Sequence, residues 1–143
     1  MLCGLSYLHS KNQLHRDIKP ANVLLNMKGE VKLSDFGISR TLPSETLFTR
    51  TAVGTRSYMS PERIEGSSYG FKGDIWGIGL TLYELATGTY PYQGRSELDL
   101  LRDFEKVGSP QLPTVYSEDF QDFLNCALAL EEEKRWSAVE LTV

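Results

Sequence analysis

The chain has 143 residues, with 15 Lys+Arg against 19 Asp+Glu for a formal net charge of −4. That length suits one domain or a piece of one, and the charge gives no field for wrapping nucleic acid or an anionic membrane surface. A hydrophobic share of 41% beside 24% charged residues excludes a disordered or fibrous chain.

Two cysteines, Cys3 and Cys126, lack CxxC or paired-His spacing, so neither a zinc site nor a disulfide framework is expected, and the compartment is read as reducing and cytoplasmic. Both are expected as small buried apolar groups. No apolar run approaches the ~18 residues of a membrane span, and no basic stretch followed by an apolar one opens the sequence.

Leu2, Leu5 and Leu8 form one helical stripe at the start, with no capping residue ahead of them and His9 expected on the helix surface. Asn22-Val23-Leu24-Leu25-Asn26 and Glu30-Val31-Lys32-Leu33, split by Met27-Lys28-Gly29, predict a small hairpin. Positions 34–61 are rich in Ser, Thr and Gly with little periodicity, the pattern of a functional loop. Asp74 is expected to cap a buried helix over 74–87 that stops at Gly88, with Ile75, Trp76, Ile78, Leu80, Leu82 and Leu85 around its axis. Ser96 opens a helix carrying Leu98, Leu101 and Phe104. Ser117 opens another with Phe120, Phe123, Leu124, Ala127 and Leu128 at helical spacing. Ser137 and Glu140 have capping-box spacing. The expected fold is mainly α with one small β-hairpin, and the uncapped start and abrupt end predict a fragment of a larger domain.

The chemistry concentrates at the hairpin. Asp17, Lys19 and Asn22 precede its first strand and Asp35 follows its second, so the hairpin brings them together. A carboxylate can accept a proton or orient a hydroxyl, a carboxylate with an amide oxygen suits Mg²⁺, and a lysine neutralises a transferring phosphoryl group. Each residue alone is an ordinary solvated loop residue; the set at this spacing is not.

His15-Arg16-Asp17-Ile18-Lys19-Pro20-Ala21-Asn22 resembles the catalytic loop of the eukaryotic protein kinases, with Ile18 for a usual Leu, and Asp35-Phe36-Gly37 resembles their magnesium motif. The resemblance implies an α+β kinase fold in which residues 1–143 are a C-lobe, truncated at both ends, with the N-lobe absent. It implies ATP and Mg²⁺ as cofactors, Asp17 as catalytic base, Lys19 against the γ-phosphate, Asn22 and Asp35 on Mg²⁺, and Leu24 beneath the adenine ring. Glu62, in Ser60-Pro61-Glu62 where the family commonly has Ala-Pro-Glu, is expected to form a buried ion pair with Arg135. Lys19 with Thr55 looks like the serine/threonine and dual-specificity branch.

Ser34-Asp35-Phe36-Gly37-Ile38-Ser39, with Val53-Gly54-Thr55-Arg56-Ser57-Tyr58-Met59-Ser60-Pro61-Glu62-Arg63, is similar to the MAP kinase kinases. That subgroup implies a MAP kinase as protein substrate and an upstream activating kinase. Thr51 matches one activating phosphorylation site, whose phosphate would pair with Arg16. The usual second position is Leu47, which has no hydroxyl, so Thr46 or Thr49 stands in for it.

The twelve glycines include no Gly-x-Gly-x-x-Gly; Gly77 and Gly79 have the first spacing, but Leu82 takes the third place in a helical pattern. No Val-Ala-Ile-Lys occurs either. The chain alone is therefore expected to be inactive, and a reading from another class is a non-catalytic module that docks a protein partner.

Overall fold

The computed structural model describes residues 1–35, 57–67 and 69–142. Helix α1, Leu2–Ser10, turns its Leu5 fully inward and ends in a turn where Asn12 takes φ 56°, a conformation its short polar side chain tolerates. A 3-10 turn, Pro20–Asn22, then leads into β1, Val23–Leu25, which pairs antiparallel with β2, Val31–Leu33, in the register Val23 to Leu33 and Leu25 to Val31. The reversal between the strands is local chemistry. Asn26 Oδ1 accepts from the amides of Lys28 and Glu30, and Gly29 takes φ 78°.

Pro61, the last residue of the stretch the sequence reads as loop, starts a short helix, α2, Pro61–Ile64. Its fixed φ and missing N–H suit a first helical position. Helix α3, Phe71–Thr87, is the axis of the molecule and stops where Gly88 turns left-handed at φ 72°. From Gly73 to Thr81 every residue is buried. Trp76 and Leu80 join Tyr92, Leu100, Phe104, Leu112, Leu124 and Leu128 in one cluster, whereas Ile75 and Ile78 join Leu5, Ile18, Leu33, Ala127 and Ala138 in another. The predicted all-round burial ends there, since Leu85 is 59% exposed.

Helix α4, Glu97–Val107, is capped by Ser96 Oγ accepting from the Asp99 amide, and α5, Glu118–Ala127, by Ser117 Oγ accepting from that of Phe120. On α4 the buried residues are Leu100 and Phe104; Leu98, expected inside, lies on the opposite side and is exposed. Helix α5 packs on α3. Ser137 and Glu140 do form a reciprocal capping box, yet it opens only a 3-10 turn, Glu140–Thr142. The cysteine expectation fails: Cys3 is exposed and Cys126 half-buried, because each lies beside rather than on the inward stripe of its helix. Among the described residues no helix is long and apolar enough to cross a membrane. Among the described residues the architecture is mainly helical with one two-stranded antiparallel sheet.

Candidate active site

The loop between α1 and β1 is tied to α3 by Asp74. Its Oδ2 accepts from the His15 amide at 2.8 Å and contacts His9 Nε2 at 3.0 Å. Its Oδ1 accepts from the Arg16 amide at 2.8 Å and from the Tyr69 hydroxyl at 2.7 Å. Asp74 is thus no helix cap: α3 begins three residues earlier behind Gly70, and the carboxylate, fully buried, serves donors from other segments instead of its own helix. Burial pushes the Asp74 carboxyl up, but hydrogen bonds from His9, Tyr69 and the two loop amides outweigh it and hold the group below its ordinary range. His9 is likewise no free surface residue, being drawn onto Asp74 and against the Phe71 ring.

His15 links this loop to the far end of the hairpin. Its Nδ1 accepts from the Asp17 amide at 3.3 Å, which puts the proton on Nε2, and Nε2 donates to the Ser34 carbonyl at 2.8 Å. Asp17 then lies between two donors: Lys19 Nζ is 3.0 Å from Oδ2, and Asn22 Nδ2 reaches the same Oδ2 at 3.0 Å and the Asp17 carbonyl at 2.7 Å.

Across the hairpin, the Ser34 amide donates to the Asn22 carbonyl at 2.9 Å, one step beyond the Val23 to Leu33 pair. Ser34 Oγ bonds that carbonyl and Asp35 Oδ2, each at 3.3 Å. Asp35 itself sits at φ 63°. Asn22 spends its amide nitrogen on Asp17, which turns Oδ1 away from that carboxylate. An amide oxygen and a carboxylate at one end of a hairpin form a hard-oxygen donor set that suits Mg²⁺, an ion that keeps waters and shares substrate phosphates. Among the described residues no group of three His, Cys, Asp or Glu side chains could hold a metal without such help.

Leu24 lies on β1 and is 55% exposed. Glu62 and Arg135 meet in a buried ion pair. Phe36, Gly37, Thr46, Thr49, Thr51 and Thr55 fall outside the described residues. Sequence reasoning passed over Tyr69, Arg63 and the inward role of His9; no spacing rule links positions 9, 16, 63, 69 and 74, and only the fold brings them together.

The family model described as "Protein kinase domain" matches residues 1–142. A mitogen-activated protein kinase kinase 1c of Physcomitrium patens is 54% identical over 150 residues, covering 99% of this chain and 43% of that protein. Mitogen-activated protein kinase kinase 3 of Arabidopsis thaliana is 44% identical, with 99% of the chain and 28% of that protein covered. The serine/threonine-protein kinase sid1 of Schizosaccharomyces pombe is 42% identical, with 99% and 30% covered. The chain therefore spans less than half the length of these relatives.

Proposed function

Because the chain belongs to the protein kinase domain family, we propose that it is the C-lobe portion of a kinase of the MAP kinase kinase type. Such a protein moves the γ-phosphoryl group of ATP to Ser/Thr and Tyr hydroxyls of a MAP kinase, after its own activation by an upstream kinase in the cytoplasm. The observation that carries this reading is the convergence of Lys19 and Asn22 on the Asp17 carboxylate, with Asp35 beside Asn22 across the hairpin. Two similar proteins described above, both named mitogen-activated protein kinase kinases, support the subgroup.

Bound Mg²⁺ and ATP supply the reacting phosphoryl group and neutralise its charge. The chain's own residues do the positioning. Lys19 and Asn22 both engage Asp17 Oδ2, so Oδ1 is the oxygen that faces and orients an incoming hydroxyl and takes its proton. Lys19 places a cation beside the path of the transferring group. Asn22 Oδ1 and the Asp35 carboxylate are the oxygens offered to Mg²⁺. Lys19 together with Thr55 accords with a serine/threonine or dual-specificity enzyme.

Transfer of labelled phosphate from ATP to a purified MAP kinase, by a protein that carries this chain, tests the reading. Asp17→Asn is expected to remove most of the signal. Equal transfer by wild type and by a folded Asp17→Asn variant overturns it.

A further inference from the structure

Arg16, the residue before Asp17, stands at φ 68°. A residue with a side chain keeps that conformation only where its surroundings impose it. Two contacts do so here. The Arg16 amide donates to Asp74 Oδ1 at 2.8 Å, and its carbonyl accepts from Arg63 Nη1 at 2.8 Å.

Both contacts lean on one side chain. The Tyr69 hydroxyl donates at 2.7 Å to Asp74 Oδ1, the same oxygen that holds the Arg16 amide. The Tyr69 ring lies against the Arg63 guanidinium, whose Cζ is 4.9 Å from the ring centroid. Tyr69 is half-buried, and its hydroxyl bonds the fully buried Asp74 carboxylate. Burial and then the Asp74 charge push that hydroxyl well above its ordinary pKa, so it stays a donor. A small cavity lined by Arg16, Asp17, Arg63, Tyr69 and Gly73 joins these groups to the base.

Room for the ring comes from Gly73 on α3. A Cβ at that position would lie 2.1 Å from Tyr69 Cε2 and 2.6 Å from Cδ2. Any other residue there must push the ring, and the hydroxyl with it, off Asp74. The glycine otherwise weakens the helix, since glycine in a helix interior is destabilising by roughly the largest non-proline penalty.

We propose that Tyr69 is a positioning residue for Asp17, holding both the Asp74 and the Arg63 contact to the Arg16 peptide, with Gly73 as the position that admits its ring. What Asp17 does chemically rests on the kinase reading; that Tyr69 fixes the Arg16 peptide does not.

Amide hydrogen exchange on the full chain, read at Arg16 and at Ile78 and Leu80 inside α3, separates the two. Tyr69→Phe keeps the ring and removes only the hydroxyl, whereas Gly73→Ala keeps the hydroxyl and displaces the ring. Each is expected to speed exchange at Arg16 by about tenfold or more, the scale of one lost buried hydrogen bond, with no faster exchange in α3. In a Tyr69→Ala background, Gly73→Ala should change Arg16 no further, because the ring it strikes is gone. In a phosphoryl-transfer assay of a protein carrying the chain, Tyr69→Phe should lower kcat and leave KM for ATP in place. Arg16 exchange in Tyr69→Phe equal to wild type overturns the proposal, as does a rise shared equally by α3. If Arg16 responds while wild type transfers no phosphate, the positioning role stands and the kinase reading falls.

Discussion

Arg135 grips Glu62 across 73 positions of sequence, Nη1 to Oε1 at 2.8 Å and Nη2 to Oε2 at 3.1 Å. The rest of the guanidinium is also spoken for, by the carbonyls of Ala129, Lys72 and Leu130 at 3.0, 3.0 and 3.3 Å. Its face lies 5.1 Å from the Trp76 ring. The pair thus nails α2 to the start of α3 and to the segment after α5.

Arg135→Ala would leave the Glu62 carboxylate buried without its counter-charge, which typically costs ~3–5 kcal/mol. A matching drop in the urea midpoint is expected, and an unchanged midpoint counts against the pair. Arg135→Lys should recover only part, because an ammonium cannot reproduce the fork. Burial pushes Glu62 up, but the Arg135 bond and charge prevail and hold it below its ordinary 4.5. A depressed carboxyl stabilises the fold above that unfolded value, so this contribution should fade as pH falls below 4.5 and through the folded value.

The helices were legible where local chemistry sets them. Ser96, Ser117 and the Ser137/Glu140 pair announce their turns because capping is a contact within four residues. The hairpin was legible for the same reason, its turn being closed by Asn26 and Gly29. Asp74 misled because an aspartate at the head of an apolar run is the usual cap; its carboxylate instead meets four donors from three other segments, which no local rule anticipates. Asp17, Lys19 and Asn22 could be read because the loop between α1 and the hairpin is short. Tyr69 could not, being far from Arg16 in sequence and joined to it only through Asp74 and Arg63.

Asp74 should make the loop acid-sensitive. Its carboxyl is held below its ordinary 3.8, so the stability it lends is whole above that value and is lost as pH falls through the depressed one. Asp74→Asn removes this titration and turns an amide donor toward groups that are themselves donors. The variant is expected to lose about 1–3 kcal/mol at neutral pH for a buried donor left unpaired. It should also show a flatter fall in denaturant midpoint below pH 3.8 than wild type; parallel profiles for the two proteins would remove Asp74 from this role.

Nucleotide binding should separate Asp35 from Asp17. Asp35→Ala removes one of the two oxygens offered to Mg²⁺, so the Mg²⁺-dependent part of ATP affinity should disappear, as read by titration with and without the metal. Asp17→Asn should bind Mg²⁺ and ATP as wild type does, and lose transfer by the ~10²–10⁴-fold typical of a general base. The 143-residue chain by itself should transfer no measurable phosphate, since it contains no Gly-x-Gly-x-x-Gly to cover the nucleotide. Unchanged ATP affinity in Asp35→Ala would withdraw its assignment.

Thr51 is the expected activating phosphorylation site, a position read from the sequence and lying outside the described residues. A phosphate there adds about −1.5 to −2 charges and can pair with an arginine such as Arg16. A protein carrying Thr51→Ala should respond weakly to its upstream kinase. A full response would move the switch to Thr46 or Thr49, to be decided by substituting each in turn.

Gly77 and Gly79, whose spacing starts but does not complete a phosphate-binding signature, should instead separate packing at the site from packing away from it. Both lie in the buried stretch of α3. A Cβ on Gly77 would fall 2.9 Å from Ile18 Cβ and 3.1 Å from the Ile18 carbonyl, directly after Asp17 in the chain. A Cβ on Gly79 would fall 2.6 Å from Leu128 Cδ2, beyond α5 and away from the loop. Alanine gains roughly 0.8–1.0 kcal/mol over glycine in a helix, while an extra group forced into a packed core costs about 1–3 kcal/mol. Overpacking should win at both, since part of the obstacle at Gly77 is the Ile18 backbone and the obstacle at Gly79 is the fully buried Leu128 with Ala127 Cβ at 3.2 Å. Gly77→Ala is therefore expected to lower the urea midpoint and to displace the Asp17 and Lys19 amide resonances. Gly79→Ala should leave those resonances in place. Equal displacement by both variants would show that α3 transmits strain along its whole length, and would defeat the assignment of Gly77 to the support of the base.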